Sequence, residues 1–264
     1  MGEATAREIA ARGHTVVATM RNPDDFTTFD AAEGTFDFER IDVTDPDNVK
    51  AGLGAVEARH GRIDVLINNA GYGLYGAVED LGTDELTAQF DTNVLGTLRT
   101  CQAVLPGMRE RGSGRILNVV TIVRSPFPWM GAYLASKAAV WHLSGSMAYE
   151  VAQFGVEVGV IEPSAYATEF QMDSLRMAER ARDGESPYGT QTQDSQVVVG
   201  ELLANSPGPD EFGRHVAELV DVPDLPFWTI AANEEWQALV TSLAGMTLEE
   251  QGAVWRDAVP GLLP

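Results

Sequence analysis

The stretch Ile63-Asp64-Val65-Leu66-Ile67-Asn68-Asn69-Ala70-Gly71 holds a short apolar run that passes directly into polar and small residues. An apolar run of this length suits a strand buried on both faces, as in a parallel sheet covered by helices. The stretch therefore favours an α/β fold.

The residues before this stretch alternate between helical and strand periods. Residues 3–12 are rich in alanine and end at Gly13, a plausible C-cap, and residues 14–20 resemble a strand. Residues 36–43 fit a second strand, and residues 47–60 carry the apolar face of a helix. This alternation is expected of βαβ units with a parallel sheet.

The same pattern continues after the opening stretch. It predicts a helix over residues 83–105 that Pro106 should stop, and then a strand over residues 115–121. A long helix over residues 131–154 and a strand over residues 156–161 follow.

Toward the C-terminus the pattern is weaker. Residues 174–206 are polar and broken by glycine and proline, which suits a mobile lid or an ordinary surface insertion. Residues 226–231 could form a last edge strand, and residues 234–256 look helical. We expect one domain over residues 1–264, with residues 169–225 as substrate-binding lid and C-terminal extension.

The amino-acid composition limits the kinds of partner and the location that can be expected. The chain carries 39 acidic and 18 basic residues, a net charge of -21, which makes a polyanion such as nucleic acid improbable. No apolar run approaches the ~20 residues of a membrane helix, and no signal segment opens the chain. The four histidines lack ligand spacing, so no metal is expected. The single cysteine, Cys101, lies on an apolar helix face and indicates a core position, and a cytoplasmic location is expected.

The segment Tyr133-Leu134-Ala135-Ser136-Lys137 indicates chemistry, in a chain whose only other lysine is Lys50. On a helix, residues four apart share one face, so Tyr133 and Lys137 can act on the same small volume. A phenol with its usual pKa of about 10 is a poor acid-base catalyst at neutral pH. An adjacent ammonium group favours the phenolate and lowers that pKa, which is the physical use of the pair.

Together with Asn68-Asn69-Ala70-Gly71, Asn93-Val94-Leu95-Gly96 and Pro163 after another apolar run, this pair resembles the short-chain dehydrogenase/reductase family over residues 1 to about 170. The resemblance implies a Rossmann-like, doubly wound parallel sheet and hydride transfer with a nicotinamide cofactor. It further implies that Tyr133 exchanges a proton with the substrate oxygen, that Lys137 also holds the nicotinamide ribose, and that Asn93 is linked to a proton-relay water.

The family usually supplies a serine about a dozen residues before the tyrosine, to orient the substrate oxygen. Here Thr121 keeps a hydroxyl, one residue nearer to the tyrosine than expected, and Ser125 is the other candidate further into the loop. We choose Thr121 as the fourth catalytic residue.

Cofactor preference follows from the end of the strand at residues 14–20. Met20 and Arg21 stand where family members that prefer NAD tend to carry an acid, and Arg21 could bond a 2′-phosphate. NADP(H) is therefore preferred, with NAD(H) as the alternative. By resemblance, the cofactor-binding residues are Gly2, Arg21, Asp42, Val43, Asn68, Ala70, Gly71, Tyr133, Lys137, Pro163 and Thr168.

The start of the sequence departs from the family pattern. A doubly wound nucleotide fold opens with a strand and a glycine-rich turn, whereas this sequence opens on the helix, with Gly2 resembling the last glycine of that turn. We expect an N-terminally truncated fold, with Met1 an internal residue of the motif, since losing a central strand would leave backbone groups unpaired. The alternative is a divergent protein with a shortened start, and pyrophosphate binding would then be in doubt.

Aromatic and apolar residues cluster in the segments that should form the substrate pocket. They are Phe127, Trp129, Met130, Tyr166, Phe170 and Met172, and they favour an apolar ketone or alcohol, although they could equally be core. We predict an NADP(H)-dependent oxidoreductase that interconverts a carbonyl and an alcohol on an apolar small molecule. The rival is a catalytically silent dinucleotide-binding or scaffold protein. As in relatives, a homo-oligomer is expected through the helices around residues 93–105 and 131–154.

Overall fold

The computed structural model of the protein describes residues 1–22, 34–122, 125–168 and 175–258. Its α-helices are α1 (Gly2–Ala11), α2 (Pro46–His60), α3 (Thr83–Phe90), α4 (Gly96–Arg111), α5 (Gly131–Val151), α6 (Glu179–Arg182), α7 (Gly189–Ala204), α8 (Pro209–Asp221), α9 (Glu234–Leu243) and α10 (Leu248–Ala258). Its strands are β1 (Thr15–Met20), β2 (Thr35–Arg40), β3 (Val65–Asn68), β4 (Gly73–Tyr75), β5 (Gly114–Val119), β6 (Val156–Pro163), β7 (Leu175–Met177) and β8 (Trp228–Ala231).

Four parallel strands form the central sheet in the order β3-β5-β6-β8. Because side chains alternate along a strand, neighbouring residues of β5 enter opposite cores. Ile116 packs with residues of α2, α4 and α5, whereas Leu117 packs with residues of α8. Helices therefore cover both faces of the sheet, and the predicted α/β fold with a doubly wound parallel sheet is confirmed.

Strands β1 and β2 form a separate parallel pair. Among the described residues neither strand is hydrogen-bonded to the central sheet, and β3 pairs only with β5. Packing still links the pair to the sheet, because Ile41, just after β2, belongs to the same core as Ile116. Our expectation of a further strand upstream of Met1 stays a prediction.

The prediction that Pro106 stops its helix is wrong. Helix α4 continues through Pro106 and ends before Gly112, whose φ of 70° closes the helix in the left-handed region. A proline inside a helix costs roughly 3 kcal/mol. Val104 and Met108, on either side of Pro106, are fully buried, and we attribute the tolerance to the packing of this face. The same stretch also contains a π-helical turn, Asp91–Leu95, between α3 and α4.

The C-terminal third is more regular than the sequence indicated. Helix α8, which the sequence pattern did not reveal, packs against α1. The tail predicted as helical divides into α9 and α10, because Thr247 and Glu250 form reciprocal side-chain to backbone hydrogen bonds that start a new helix. Residues 169–174 of the predicted lid lie outside the described residues, and the rest of that segment contains β7 and α6 to α8. The lid stays a prediction.

Cys101 is fully buried on α4, so its predicted core position is confirmed. Over the described ranges, no helix combines the length and the apolar character needed to cross a membrane. The same ranges contain no group of three or more His, Cys, Asp or Glu side chains that could hold a metal ion.

Candidate active site

Tyr133 and Lys137 lie one turn apart near the start of α5, as the sequence predicted. Both are buried, with 8% and 5% of their surface exposed, and both line a cavity of about 930 Å³. The Lys137 ammonium donates a hydrogen bond to the carbonyl oxygen of Val119, at the end of β5, over 2.8 Å. The sheet edge thus fixes the lysine at the base of the cavity.

Burial controls the pKa of both groups. It raises the pKa of the Tyr133 hydroxyl to about 12 and lowers the pKa of the Lys137 ammonium to about 8. The sequence had predicted that the ammonium would lower the tyrosine pKa. That prediction is wrong for this arrangement, because the loss of solvation around the phenol outweighs the hydrogen bond with Thr121 that favours its charged form.

Thr121 is hydrogen-bonded to Tyr133, and this contact partly opposes the rise of the tyrosine pKa. The other candidate hydroxyl, that of Ser125, forms its hydrogen bonds with residues of α10. Its Oγ donates to Gln251 Oε1 over 3.2 Å and accepts a hydrogen bond from Trp255 Nε1 over 2.9 Å. Of the two hydroxyls considered from sequence, Thr121 is the one in contact with the tyrosine.

Asn93 lies in the π-helical turn and is fully buried. Its Oδ1 accepts from the Tyr72 backbone N–H over 3.0 Å, and its Nδ2 donates to the Tyr72 carbonyl over 2.9 Å and to Ser136 Oγ over 3.0 Å. Ser136 in turn donates to the Tyr133 carbonyl over 2.7 Å. A π-turn is frequent at functional sites, and here it brings Asn93 into contact with the helix that carries the tyrosine.

Ser136 is a residue that the sequence reasoning missed. It stands inside the quoted segment Tyr133-Leu134-Ala135-Ser136-Lys137, so the signal was present, but its side chain faces Asn93 rather than the cavity. Its hydroxyl connects the asparagine to the first turn of α5, which makes it a positioning residue in this arrangement.

Some of the predicted cofactor residues line the cavity, and the others lie beside or below it. Those that line the cavity are Gly71, Tyr133, Lys137, Pro163 and Thr168. Gly71 makes the closest approach, because a Cβ there would lie 3.0 Å from Asn93 Oδ1 and 3.4 Å from Lys137 Nζ. Gly2 stands between Met1 and Glu3, which both line the cavity, and a Cβ on Gly2 would lie 3.0 Å from Asn69 Nδ2.

Asn68 belongs to a buried hydrogen-bond network instead. Its Nδ2 donates to Asn118 Oδ1 over 2.8 Å, its Oδ1 accepts from Thr100, and Asn118 continues the network to Ser144. Its neighbours Asn69 and Gly71 line the cavity. The network ties β3, β5, α4 and α5 together beneath the site.

The remaining predicted cofactor residues lie toward the β1–β2 pair, apart from Ala70, which sits between Asn69 and Gly71. Arg21 is exposed, and its carbonyl accepts a hydrogen bond from Arg40 Nε over 3.1 Å. Hydrogen bonds from Thr44 hold the pKa of the Asp42 carboxyl below its usual value. Val43 packs against the start of α4.

The predicted pocket wall is only partly found. Phe127, Met130 and Tyr166 line the cavity, and Tyr166 also packs in the core below it. Trp129 packs against Tyr188 with ring centroids 6.2 Å apart. Phe170 and Met172 lie outside the described residues.

Helices α7, α9 and α10 complete the wall, which the sequence did not predict. They contribute Val199, Trp236 and Trp255, which pack with Phe127 and Ile122 at one end of the cavity. These residues come from helices far along the chain, and no local sequence pattern indicates that they meet.

In doubly wound α/β folds, ligands bind in the crevice beyond the carboxyl ends of the parallel strands, where this cavity lies. The family model described as short chain dehydrogenase matches residues 1–179. A 3-ketodihydrosphingosine reductase from Bacteroides thetaiotaomicron is 32% identical over 229 residues, which cover 86% of this chain and 82% of that protein. The chain belongs to the short-chain dehydrogenase family and is an oxidoreductase of the kind that acts on CH–OH and C=O groups.

Two solved structures resemble the whole fold. A short-chain dehydrogenase from Streptomyces avermitilis is 31% identical, with a TM-score of 0.80 over 97% of this chain and 92% of that one. A metagenomic short-chain oxidoreductase in complex with NADP is 25% identical, with a TM-score of 0.68 over 87% of this chain and 90% of that one.

Proposed function

We propose that the protein is an NADP(H)-dependent oxidoreductase that interconverts a carbonyl and an alcohol on an apolar small molecule, with Tyr133 as the acid-base group. One observation carries the proposal. The Tyr133 hydroxyl lies at the cavity wall in contact with Thr121, and Lys137 lies one helical turn further on.

The cavity suits a dinucleotide. Its volume of about 930 Å³ falls at the upper end of ordinary ligand sites, and Gly71 leaves room for a ligand beside Asn93 and Lys137 that a side chain would fill. When bound, NADPH supplies the hydride. Lys137, Pro163 and Thr168 would hold its nicotinamide end, and Gly71 would line its adenosine side.

We assign the preference for NADP(H) over NAD(H) to Arg21. Its guanidinium is exposed beyond β1 and can form charge-assisted hydrogen bonds to a 2′-phosphate. The neighbouring Arg40 adds positive charge to the same place, because its Nε is hydrogen-bonded to the Arg21 carbonyl. The similar structure in complex with NADP is consistent with this choice.

The protonation states favour proton donation by Tyr133. With a pKa raised to about 12, the phenol keeps its proton at neutral pH and can give it to a carbonyl oxygen as the carbonyl carbon receives hydride. Lys137, with a pKa lowered to about 8, is mostly cationic at pH 7 and would stabilise the resulting phenolate. Thr121 would orient the substrate oxygen.

The substrate end of the cavity is apolar. Its lining includes Ile122, Phe127, Met130, Leu134, Val199, Trp236 and Trp255. Apart from Lys137 on α5, the charged lining residues are Glu3, Arg7 and Asp210, which come from α1 and α8. A lining of this kind would exclude charged substrates, since an unpaired charge is costly to desolvate. The similar protein named as a 3-ketodihydrosphingosine reductase supports a ketone.

Replacement of Tyr133 by phenylalanine tests the proposal. Tyr133→Phe should abolish NADPH-dependent reduction of apolar ketones and leave NADPH affinity largely intact, because only the hydroxyl is lost. Tyr149→Phe is the matched control, since Tyr149 lies on the same helix with 89% of its surface exposed.

Unchanged turnover in Tyr133→Phe would contradict the acid-base role. Failure of the wild-type protein to reduce any ketone while it binds NADPH would favour the catalytically silent alternative.

We also propose a homo-oligomer through the helices around residues 93–105 and 131–154. Leu95, Leu143 and Tyr149 are exposed apolar or aromatic side chains on this surface. Leu143→Asp should shift the assembly toward monomer in analytical ultracentrifugation, whereas Val78→Asp, on an exposed site outside both helices, should not. A monomeric wild-type protein would contradict this proposal.

A further inference from the structure

Of the described residues that line the cavity, Trp255 lies furthest toward the C-terminus. It lies on α10, is 2% exposed, and lines the cavity together with Phe127. The two rings meet edge to face, with centroids 5.2 Å apart and planes at 81°. A large, rigid side chain thus closes one end of the cavity.

A buried hydrogen-bond chain holds this tryptophan in place. Trp255 Nε1 donates to Ser125 Oγ over 2.9 Å, and Ser125 donates to Gln251 Oε1 over 3.2 Å. Gln251 Nε2 then donates to the carbonyl of Leu243, at the end of α9, over 2.9 Å. Ser125, Gln251 and Trp255 are all buried.

The hydrogen-bond chain that holds Trp255 includes a residue from the segment between the proposed catalytic residues. Ser125 lies in the segment that connects Thr121 to Tyr133, and Phe127 follows two residues later. Helix α10 is therefore hydrogen-bonded to Ser125 and packed against Phe127, which both lie between Thr121 and Tyr133 in the sequence.

We propose that Trp255, supported by Phe127, is a specificity-determining end wall that limits the length of the apolar substrate, and that Ser125 is the positioning residue that holds it. This inference rests on the proposed function, because it concerns the substrate of the same site. The substrate class is an uncharged ketone whose chain ends against the Trp255 indole.

A ketone series tests the inference. The probes are butan-2-one, octan-2-one and dodecan-2-one, each reduced with NADPH by the wild-type protein and by Trp255→Ala. Opening the end wall should raise kcat/KM for the longest ketone relative to the shortest by about tenfold or more, the order of discrimination that an apolar pocket supplies per methylene. Leu248→Ala is the matched control, because Leu248 lies on the same helix with 66% of its surface exposed.

Two further variants distinguish the role of the Trp255 ring from that of its hydrogen bond to Ser125. Trp255→Phe keeps a ring but removes the indole N–H, so it should shift the ratio in the same direction by a smaller factor. Ser125→Ala leaves the indole in place without its hydrogen-bond partner, and it should broaden length selection, measured as the ratio of kcat/KM between dodecan-2-one and butan-2-one. If Trp255→Ala does not fold, Trp255→Phe decides, and an unchanged length ratio in a folded variant overturns the inference.

Binding without turnover distinguishes this inference from the proposed function. Calorimetric titration of dodecan-2-one measures length selection in the absence of chemistry. Tighter binding to Trp255→Ala than to wild type supports the end wall even if no ketone is reduced. Reduction of ketones with the same length preference in both proteins would support the function and overturn the end wall.

Discussion

Replacing Lys137 with methionine should remove a pH dependence of stability that a buried lysine imposes. Burial lowers the pKa of Lys137 from 10.5 to about 8. Between these values the unfolded chain binds the proton and the folded chain has released it, so the wild-type protein gains stability as pH rises. Below pH 8 both states are protonated, and the full cost of burying the ammonium is present.

The size of this effect follows from the shift. Lowering the pKa from 10.5 to about 8 corresponds to on the order of 3 kcal/mol of stability. Methionine carries no charge and escapes this cost, but it leaves the Val119 carbonyl without its donor, which costs about 1–3 kcal/mol. The two contributions have opposite signs and are of the same order at pH 7, so the net change in stability at that pH is not diagnostic. The diagnostic quantity is therefore the slope with pH and not the stability at one pH.

Urea unfolding at several pH values between 7 and 10 measures this slope. The free energy of unfolding of the wild-type protein should rise relative to that of Lys137→Met across this range, while other titrating groups cancel in the difference. The range stops at pH 10 because the pKa of Tyr133 is about 12 in the folded protein and about 10 in the unfolded chain. Above pH 10 this difference lowers the stability of the folded protein and would obscure the effect of Lys137.

Lys50→Met is the control, since Lys50 is the only other lysine and is exposed on α2. Its profile should stay parallel to that of the wild type. Parallel profiles for wild type and Lys137→Met would refute the reasoning, because they would mean that the buried ammonium keeps its ordinary pKa.

Two further substitutions test the site. Thr121→Val should lower turnover by roughly 10²-fold, whereas turnover of Thr121→Ser should stay within about tenfold of wild type, because only serine keeps a hydroxyl beside the reacting oxygen. Steady-state kinetics on folded variants would measure the difference. Equal losses in both variants would contradict the proposed role of the Thr121 hydroxyl. Arg21→Ala should weaken NADPH binding by about 10- to 100-fold and leave NADH binding nearly unchanged, since a charged hydrogen bond contributes about 1.5–3 kcal/mol. Fluorescence titration of both cofactors would detect the difference, with the exposed Arg62→Ala as control, and equal weakening for both cofactors would count against a 2′-phosphate contact.

Local sequence patterns were sufficient for the parts of the fold that depend on neighbouring residues. The strand at Val65–Asn68 and the helix that carries Tyr133 and Lys137 were predicted because burial on two faces and the four-residue helical spacing are both local signals. Pro106 was misjudged because packing of its helix lies outside any local rule.

The far wall of the cavity could not be predicted for a different physical reason. Val199, Trp236 and Trp255 meet Phe127 only through tertiary packing, and their helices carry no chemical motif. The raised pKa of Tyr133 was missed similarly, since a pair of residues in sequence reveals the neighbouring charge but not the solvent that burial removes.

The position of Trp255 has a consequence for how such an enzyme can change. The residues proposed for chemistry, from Asn93 to Lys137, fall within the part of the chain that the family model matches, residues 1–179, whereas Trp255 lies well outside it. The residues proposed for chemistry and the proposed end-wall residue Trp255 therefore lie in separate stretches of the chain, whereas Ser125 and Phe127, which contact Trp255, lie in the first stretch. If the proposed end wall is correct, substitutions in α10 should change which ketone is accepted without altering the residues proposed for proton donation, provided that the Ser125 contact is kept.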